Sequence, residues 1–277
     1  MTPVRSLFRP PVVAGIASAA MRATPLHAAE ELLAAGRSDA RRGDFTAGRG
    51  CARALLGRVG LADEPVTDGP AGEPRWPAGV AGSIAHCRGL CAVAVARSPA
   101  VIGLGLDVEV AATVDDEVLA RVCLPGELRA LTSGRRPSDA AAVVFSAKEA
   151  FYKLYFSVTG RFAWFDDVYV EVDWARQSFM ASLVSDTLPR LPTRRNADRR
   201  CHVSSRRLAD GRGHADDWQH ADDWHHVAGR PNTNGWRDAD GWPDADAPPS
   251  MDGRGSVNGR FCLWDGFVAC GITLRAS

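Results

Sequence analysis

Alternation of period two is sharpest at Val101-Ile-Gly-Leu-Gly-Leu-Asp-Val-Glu109. Val101, Gly103, Gly105, Asp107 and Glu109 fall on one face, and Ile102, Leu104, Leu106, Val108 and Val110 on the other. This predicts a strand over 101–109 with a branched core face. Its opposite face is bare glycine until it ends in two acids. Further strands are predicted near 80–84 and 90–96, again from Val168 through Val172 to Trp174, then over 178–184, 260–264 and 267–274. Helical periodicity covers about 26–35, 38–58, 115–131 and 138–158. Strands mixed with helices in this way argue an α+β fold.

The last of these helices contains an anomaly. It starts at Pro137-Ser138-Asp139, and Val144, Ala147, Phe151, Leu154, Tyr155 and Val158 keep the spacing of a buried face. Lys148 lies inside that stripe, so it must either snorkel outward or meet an anion. Glu149 and Lys153 lie one turn apart on the neighbouring face. They read either as an ordinary surface pair or, beside Lys148, as part of a site.

The stretch 189–256 is of another kind. It is dominated by Arg, Asp, His, Gly and Pro, and repeats His214-Ala-Asp-Asp-Trp-Gln then His220-Ala-Asp-Asp-Trp-His225. With few aliphatic residues it has little to bury, so it reads as a disordered insert looping out of a hairpin connection. The 277 residues carry 33 basic and 33 acidic side chains, and this zero balance leaves no electrostatic case for nucleic acid or for a membrane surface. Seven cysteines, an odd number without a C-x-x-C, suggest reduced thiols and a cytoplasmic protein. The apolar run 12–20 is short and follows Pro10-Pro11, so it reads as a structural segment and not a signal peptide. No apolar run approaches the ~18 residues of a transmembrane span.

Candidate chemistry sits on three segments. Asp107 and Glu109, roughly 6 to 7 Å apart at Cα from the strand rise, either end a solvated strand or turn toward one divalent cation. Trp76-Pro-Ala-Gly-Val-Ala-Gly-Ser-Ile-Ala-His-Cys87 is rich in glycine; its backbone could approach a phosphate, with His86 as a donor, or His86 is a satisfied core residue. Arg42, Arg49 and Arg53 share a face of the helix over 38–57, which is either solvated or grips a phosphate.

Together, that Trp76–Cys87 segment, Gly105-Leu-Asp-Val-Glu109 and Phe145-Ser-Ala-Lys-Glu-Ala-Phe-Tyr-Lys153 resemble the three ordered motifs of the surfactin-type 4′-phosphopantetheinyl transferases. Arg41-Arg-Gly-Asp-Phe45, Gly48-Arg-Gly-Cys-Ala-Arg53 and Thr159-Gly-Arg-Phe-Ala-Trp-Phe-Asp-Asp167 point to the enterobactin synthase component D-like branch. The resemblance implies two pseudo-symmetric halves, each a small, mostly antiparallel sheet packed with helices. These are a coenzyme A-binding half over 1–105 and a half over 106–277 that bears the metal site and is interrupted by the insert. It implies Mg²⁺, with Mn²⁺ as a substitute, held by Asp107, Glu109 and Glu149. It makes Glu149, Lys153 and Lys148 catalytic, and assigns coenzyme A to Arg49, Arg42, Arg53, Ser83, His86, Lys148 and Lys153. The implied partners are acyl, peptidyl or aryl carrier proteins of siderophore or secondary-metabolite synthesis, met by a monomer.

The chain departs from the family pattern in three places. Ala85 stands where Ser or Thr is usual before the histidine, a basic residue is missing from Ala71-Gly-Glu-Pro74 although Arg75 lies close, and Phe162-Ala-Trp164 replaces Trp, small apolar, Gly. The first two predict weaker coenzyme A binding. Two competing readings remain: a degenerate relative that only binds coenzyme A or a carrier, and an unrelated Mg²⁺-dependent pyrophosphohydrolase using the same acids.

Overall fold

The computed structural model describes residues 3–113, 116–127, 137–191 and 255–276. Most of the expected insert, 192–254, and the end of the expected helix 115–131 lie outside the described residues.

After a 3₁₀ turn at Pro3–Leu7 come β1 (Val13–Ile16), a second 3₁₀ turn, α1 (Ala28–Ala34) and α2 (Asp39–Arg58). The chain continues through β2 (Thr67–Asp68), β3 (Pro74–Arg75), β4 (Val80–Cys87), β5 (Leu90–Arg97) and β6 (Val101–Val110). Then follow α3 (Asp116–Val122), α4 (Pro137–Thr159), β7 (Val168–Asp173), β8 (Ser178–Leu183), β9 (Val257–Trp264) and β10 (Phe267–Arg275). The expected α+β class holds: the strands form antiparallel sheets in the orders β1-β5-β4 and β6-β10-β9-β8-β7, plus the small pair β2-β3.

Tight turns set the hairpins. Arg88-Gly89 between β4 and β5, and Asp265-Gly266 between β9 and β10, have positive φ at both residues, matching the right-handed twist of the strands they join. β8 and β9 are direct neighbours, with Ala181 opposite Val257, so the intervening chain leaves a paired ladder at its two ends.

β6 lies at the junction of the two sheets. Leu104, Leu106 and Val108 point into a core shared with β1, β5 and the N-terminal Val4 and Leu7, as its alternation predicts. The other face meets α4, whose Phe151, Leu154 and Tyr155 belong to the core against the five-stranded sheet. A Cβ at Gly105 would lie 1.9 Å from the carbonyl oxygen of Ala150, so the glycine face of β6 admits a helix backbone. Across the junction Ser83 replaces a ladder bond: its Oγ accepts from Leu106 N at 3.0 Å and donates to Leu106 O at 3.5 Å. β6 runs unbroken through 105 and 106, so the expected division of halves there falls within a paired strand.

The segment expected to be a glycine-rich approach to a phosphate is itself mostly strand β4, beginning at Val80 and not ending near 84. Gly82 exists for packing, since a Cβ there would strike the Trp76 ring. Gly79, at φ +77°, makes the turn into the strand.

Candidate active site

Strand β6 and helix α4 bring four charged side chains together. Period two puts Asp107 and Glu109 on the α4 side of β6, and one helical turn puts Glu149 and Lys153 facing them. All three carboxylates are buried. Lys153 Nζ donates to Asp107 Oδ1 at 2.6 Å. Burial, then the neighbouring Asp107, pushes the Glu109 carboxyl well above its ordinary value. Burial likewise pushes Glu149 up to about 7, although Lys153 opposes the shift. Burial alone would lower the Lys153 ammonium; Asp107 and Glu149 outweigh it and hold it raised.

This cluster is short of positive charge. Three carboxylates face one ammonium, and Asp107 Oδ2 and Glu109 Oε1 are buried with no hydrogen-bond partner. Unpaired buried acceptors are costly, which is the signature of a position completed by something bound. Among the described residues no three His, Cys, Asp or Glu side chains form a ready-made metal cage. The free oxygens of Asp107 and Glu109 are nevertheless the hard donors that a divalent cation of the Mg²⁺ kind takes alongside substrate phosphates. The donors are hard oxygens with free lone pairs, and they fit such an ion.

Lys148 stands apart from the cluster. It does meet an anion, as its place in the apolar stripe demands, but the anion is Glu127, 2.7 Å from Nζ. Nζ also donates to Val122 O and Phe165 O, each at 2.8 Å. Glu127 in turn accepts from Leu124 N and Val170 N, at 2.6 Å each. This buried hub ties α3, α4, β7 and the loop before it together, and the ammonium expected to face a pyrophosphate is here engaged by Glu127 and two backbone carbonyls. Sequence reasoning missed Glu127, yet a lysine in a helix stripe calls for such a counter-ion.

The three candidate arginines on α2, Arg42, Arg49 and Arg53, are also engaged within the protein. Arg42 pairs with Glu31 at 2.6 Å, Arg53 with the fully buried Glu30, and Arg49 with Asp68 while its Nε donates to Val66 O at 2.9 Å. Asp68 also takes Arg37 at 3.2 Å, and the guanidinium groups of Arg37 and Arg49 both lie over the Phe45 ring. The face is solvated at Arg42 but not at Arg49, which is buried with its fork pre-oriented.

On β4 the two faces separate. Ser83, Ala85 and Cys87 look toward β6, whereas His86 shares the face of Ile84, which packs against α2. Ser83, expected to contact coenzyme A, spends its hydroxyl on Leu106. Ala85 is buried in the apolar core with Leu104 and Leu106, on the side away from His86, so its methyl suits its surroundings. Cys87 Sγ donates to Glu109 Oε2 at 3.5 Å. Phe162 stacks with Tyr152 and packs on Phe156, which accounts for the aromatic residue at that departure.

Comparison with known proteins extends this picture. Residues 29–96 match the family model of the 4′-phosphopantetheinyl transferase N-terminal domain, and residues 103–230 that of the 4′-phosphopantetheinyl transferase superfamily. The chain is 41% identical over 144 residues to the 4′-phosphopantetheinyl transferase Svp of Streptomyces mobaraensis, covering 51% of this chain and 58% of that protein, less than two thirds of its length. It is 37% identical over 161 residues to the 4′-phosphopantetheinyl transferase Npt of Nocardia iowensis, covering 57% and 72% of the two chains. To the 4′-phosphopantetheinyl transferase PptT of Mycobacterium tuberculosis it is 35% identical over 170 residues, covering 60% and 73%.

Proposed function

Because the chain belongs to the 4′-phosphopantetheinyl transferase superfamily, we propose that it transfers the 4′-phosphopantetheinyl group of coenzyme A to a serine of an acyl or peptidyl carrier protein. The serine oxygen bonds the β-phosphorus, the phosphoanhydride bond breaks, and 3′,5′-ADP leaves. The observation that carries this reading is the buried cluster of Asp107, Glu109, Glu149 and Lys153 with two carboxylate oxygens unpartnered.

Mg²⁺, or Mn²⁺ in its place, held by Asp107, Glu109 and Glu149 against the substrate pyrophosphate would neutralise charge on the transferring phosphoryl group. Glu149 takes the serine proton, directly or through a water. Such base assistance contributes ~10² to 10⁴-fold. Lys153, the one ammonium in the cluster, offsets the charge of the departing 3′,5′-ADP. Arg49 and His86, with Arg42 and Arg53 as further contacts, receive the 3′-phosphate of coenzyme A, as the family resemblance implies; the Arg49 guanidinium is held in place by Val66 O and the Phe45 ring. Lys148 and Ser83 serve the scaffold in this reading, their polar groups being engaged by Glu127, Val122, Phe165 and Leu106.

The N-terminal part, up to the turn at 98–100, supplies the nucleotide contacts, and the remainder supplies the cation site. The arginine motifs of α2 support the surfactin-type, enterobactin synthase component D-like branch. A monomer in the cytoplasm fits this reading: coenzyme A is there, and the six described cysteines are all free of disulfides. Among the described residues no helix is long and apolar enough to cross a membrane.

Incubation with coenzyme A, an apo-carrier and Mg²⁺ should release 3′,5′-ADP in step with loss of unmodified carrier, and EDTA should stop it. Release of the nucleotide with every carrier left unmodified would instead establish a pyrophosphohydrolase.

A further inference from the structure

The carboxylate of Glu109 is divided between two surroundings. Oε1 is buried and unpartnered, whereas Oε2 lies 3.5 Å from the thiol of Cys87 on the neighbouring sheet. Both residues are buried, at 5% and 3% exposure, so neither is free to drift into solvent. The strand that carries Cys87 is pinned to β6 four residues earlier, where the Ser83 hydroxyl bonds both backbone groups of Leu106. The position of the sulfur is thereby set by the junction of the sheets.

We propose that Cys87 is a positioning residue for the cation site, holding Oε2 of Glu109 so that Oε1 is presented to the ion. This rests on the functional reading above, which places a divalent cation at Asp107, Glu109 and Glu149. The other groups that act on Glu109 are charged: Asp107, Lys153 and Glu149. A thiol is a weak, uncharged donor; it restrains the carboxylate without neutralising the charge the ion needs. A lysine or arginine in its place would compete with the cation. Partners of metal ligands commonly act in this way, and their loss costs about 10 to 100-fold in metal affinity or activity.

The test is a Mn²⁺ titration of the full chain with coenzyme A present, with free Mn²⁺ read by electron paramagnetic resonance. It compares wild type, Cys87→Ala, Cys87→Ser and Glu109→Gln. Cys87→Ala should bind Mn²⁺ about tenfold more weakly, and Cys87→Ser, which keeps a donor, should recover most of that loss. Metal-free melting temperatures separate this from mere packing, because serine and alanine should fall together there yet part company in the titration. Wild-type affinity in Cys87→Ala, or an equal loss in Cys87→Ser, overturns the inference while leaving the cation site standing. Equal titrations of wild type and Glu109→Gln overturn the cation site and this inference with it.

Discussion

Lys148 and Glu149 are adjacent in sequence and belong to different environments, because a helix turns about 100° per residue. Glu149 joins the carboxylate cluster; Lys148 goes to Glu127. Removing one member of a buried ion pair leaves the other uncompensated, at a cost of about 3 to 5 kcal/mol. Lys148→Met should therefore lower the denaturant midpoint strongly, and adding Glu127→Gln should recover much of it; lost turnover with unchanged stability would make Lys148 a substrate ligand after all. Titration at Glu149 has its own sign. Its carboxyl is raised from 4.5 to about 7, so the metal-free folded chain holds a proton that the unfolded chain releases. Its contribution to stability is complete below pH 4.5 and lost as pH rises through about 7. Cation binding in the presence of coenzyme A should release more protons at pH 6 than at pH 8.5, as calorimetry in two buffers would read; equal release at both would contradict the shift. At this scale Asp107, Glu109, Glu149 and Lys153 were legible from period and spacing. Glu127, Asp68 and Cys87 were not, since the Lys148, Arg49, Arg37 and Glu109 side chains they meet lie 19 to 31 residues away in sequence and come together only through folding.

Elements were more readable than contacts. The long helix and strand of the site appear within a residue of their expected bounds, at Pro137–Thr159 and Val101–Val110, because both carry unbroken periodicity. β2 and β3, two residues each, are too short to show any period, and β1 looked only like a small apolar run. Glycine was the instructive ambiguity. Bare positions at Gly103 and Gly105 signal close approach, yet cannot say by what; here it is α4, with Leu154 and Val158 over Gly103 and the Ala150 carbonyl over Gly105. Gly105→Ala should push the helix off the strand, destabilise the fold by about 1 to 3 kcal/mol or more, and reduce turnover disproportionately by separating Glu149 from Asp107. Wild-type activity in that variant would mean the strand and helix need not touch.

At the scale of the molecule, two antiparallel sheets meet along β4 and β6, and the proposed cation site and the buried Arg49 of α2 lie on either side of that junction. Reading the α+β class required only the alternation of elements, whereas the pairing of β9 between β8 and β10 spans the long insert and shows in no local pattern. Since Ala181 and Val257 are already paired, joining Leu191 to Gly255 by a short flexible linker should preserve melting temperature and transfer activity. Loss of both would give the removed residues a structural role. The central claim is that Asp107, Glu109 and Glu149 serve a cation-dependent transfer. It is tested most directly by intact-mass analysis of an apo-carrier panel incubated with coenzyme A and Mg²⁺, using wild type and Glu149→Gln, each with and without EDTA. The account predicts that wild type adds the phosphopantetheine mass to a carrier only when metal is present, and that well-folded Glu149→Gln adds none. Addition that survives EDTA, or that proceeds at the wild-type rate in Glu149→Gln, would contradict it.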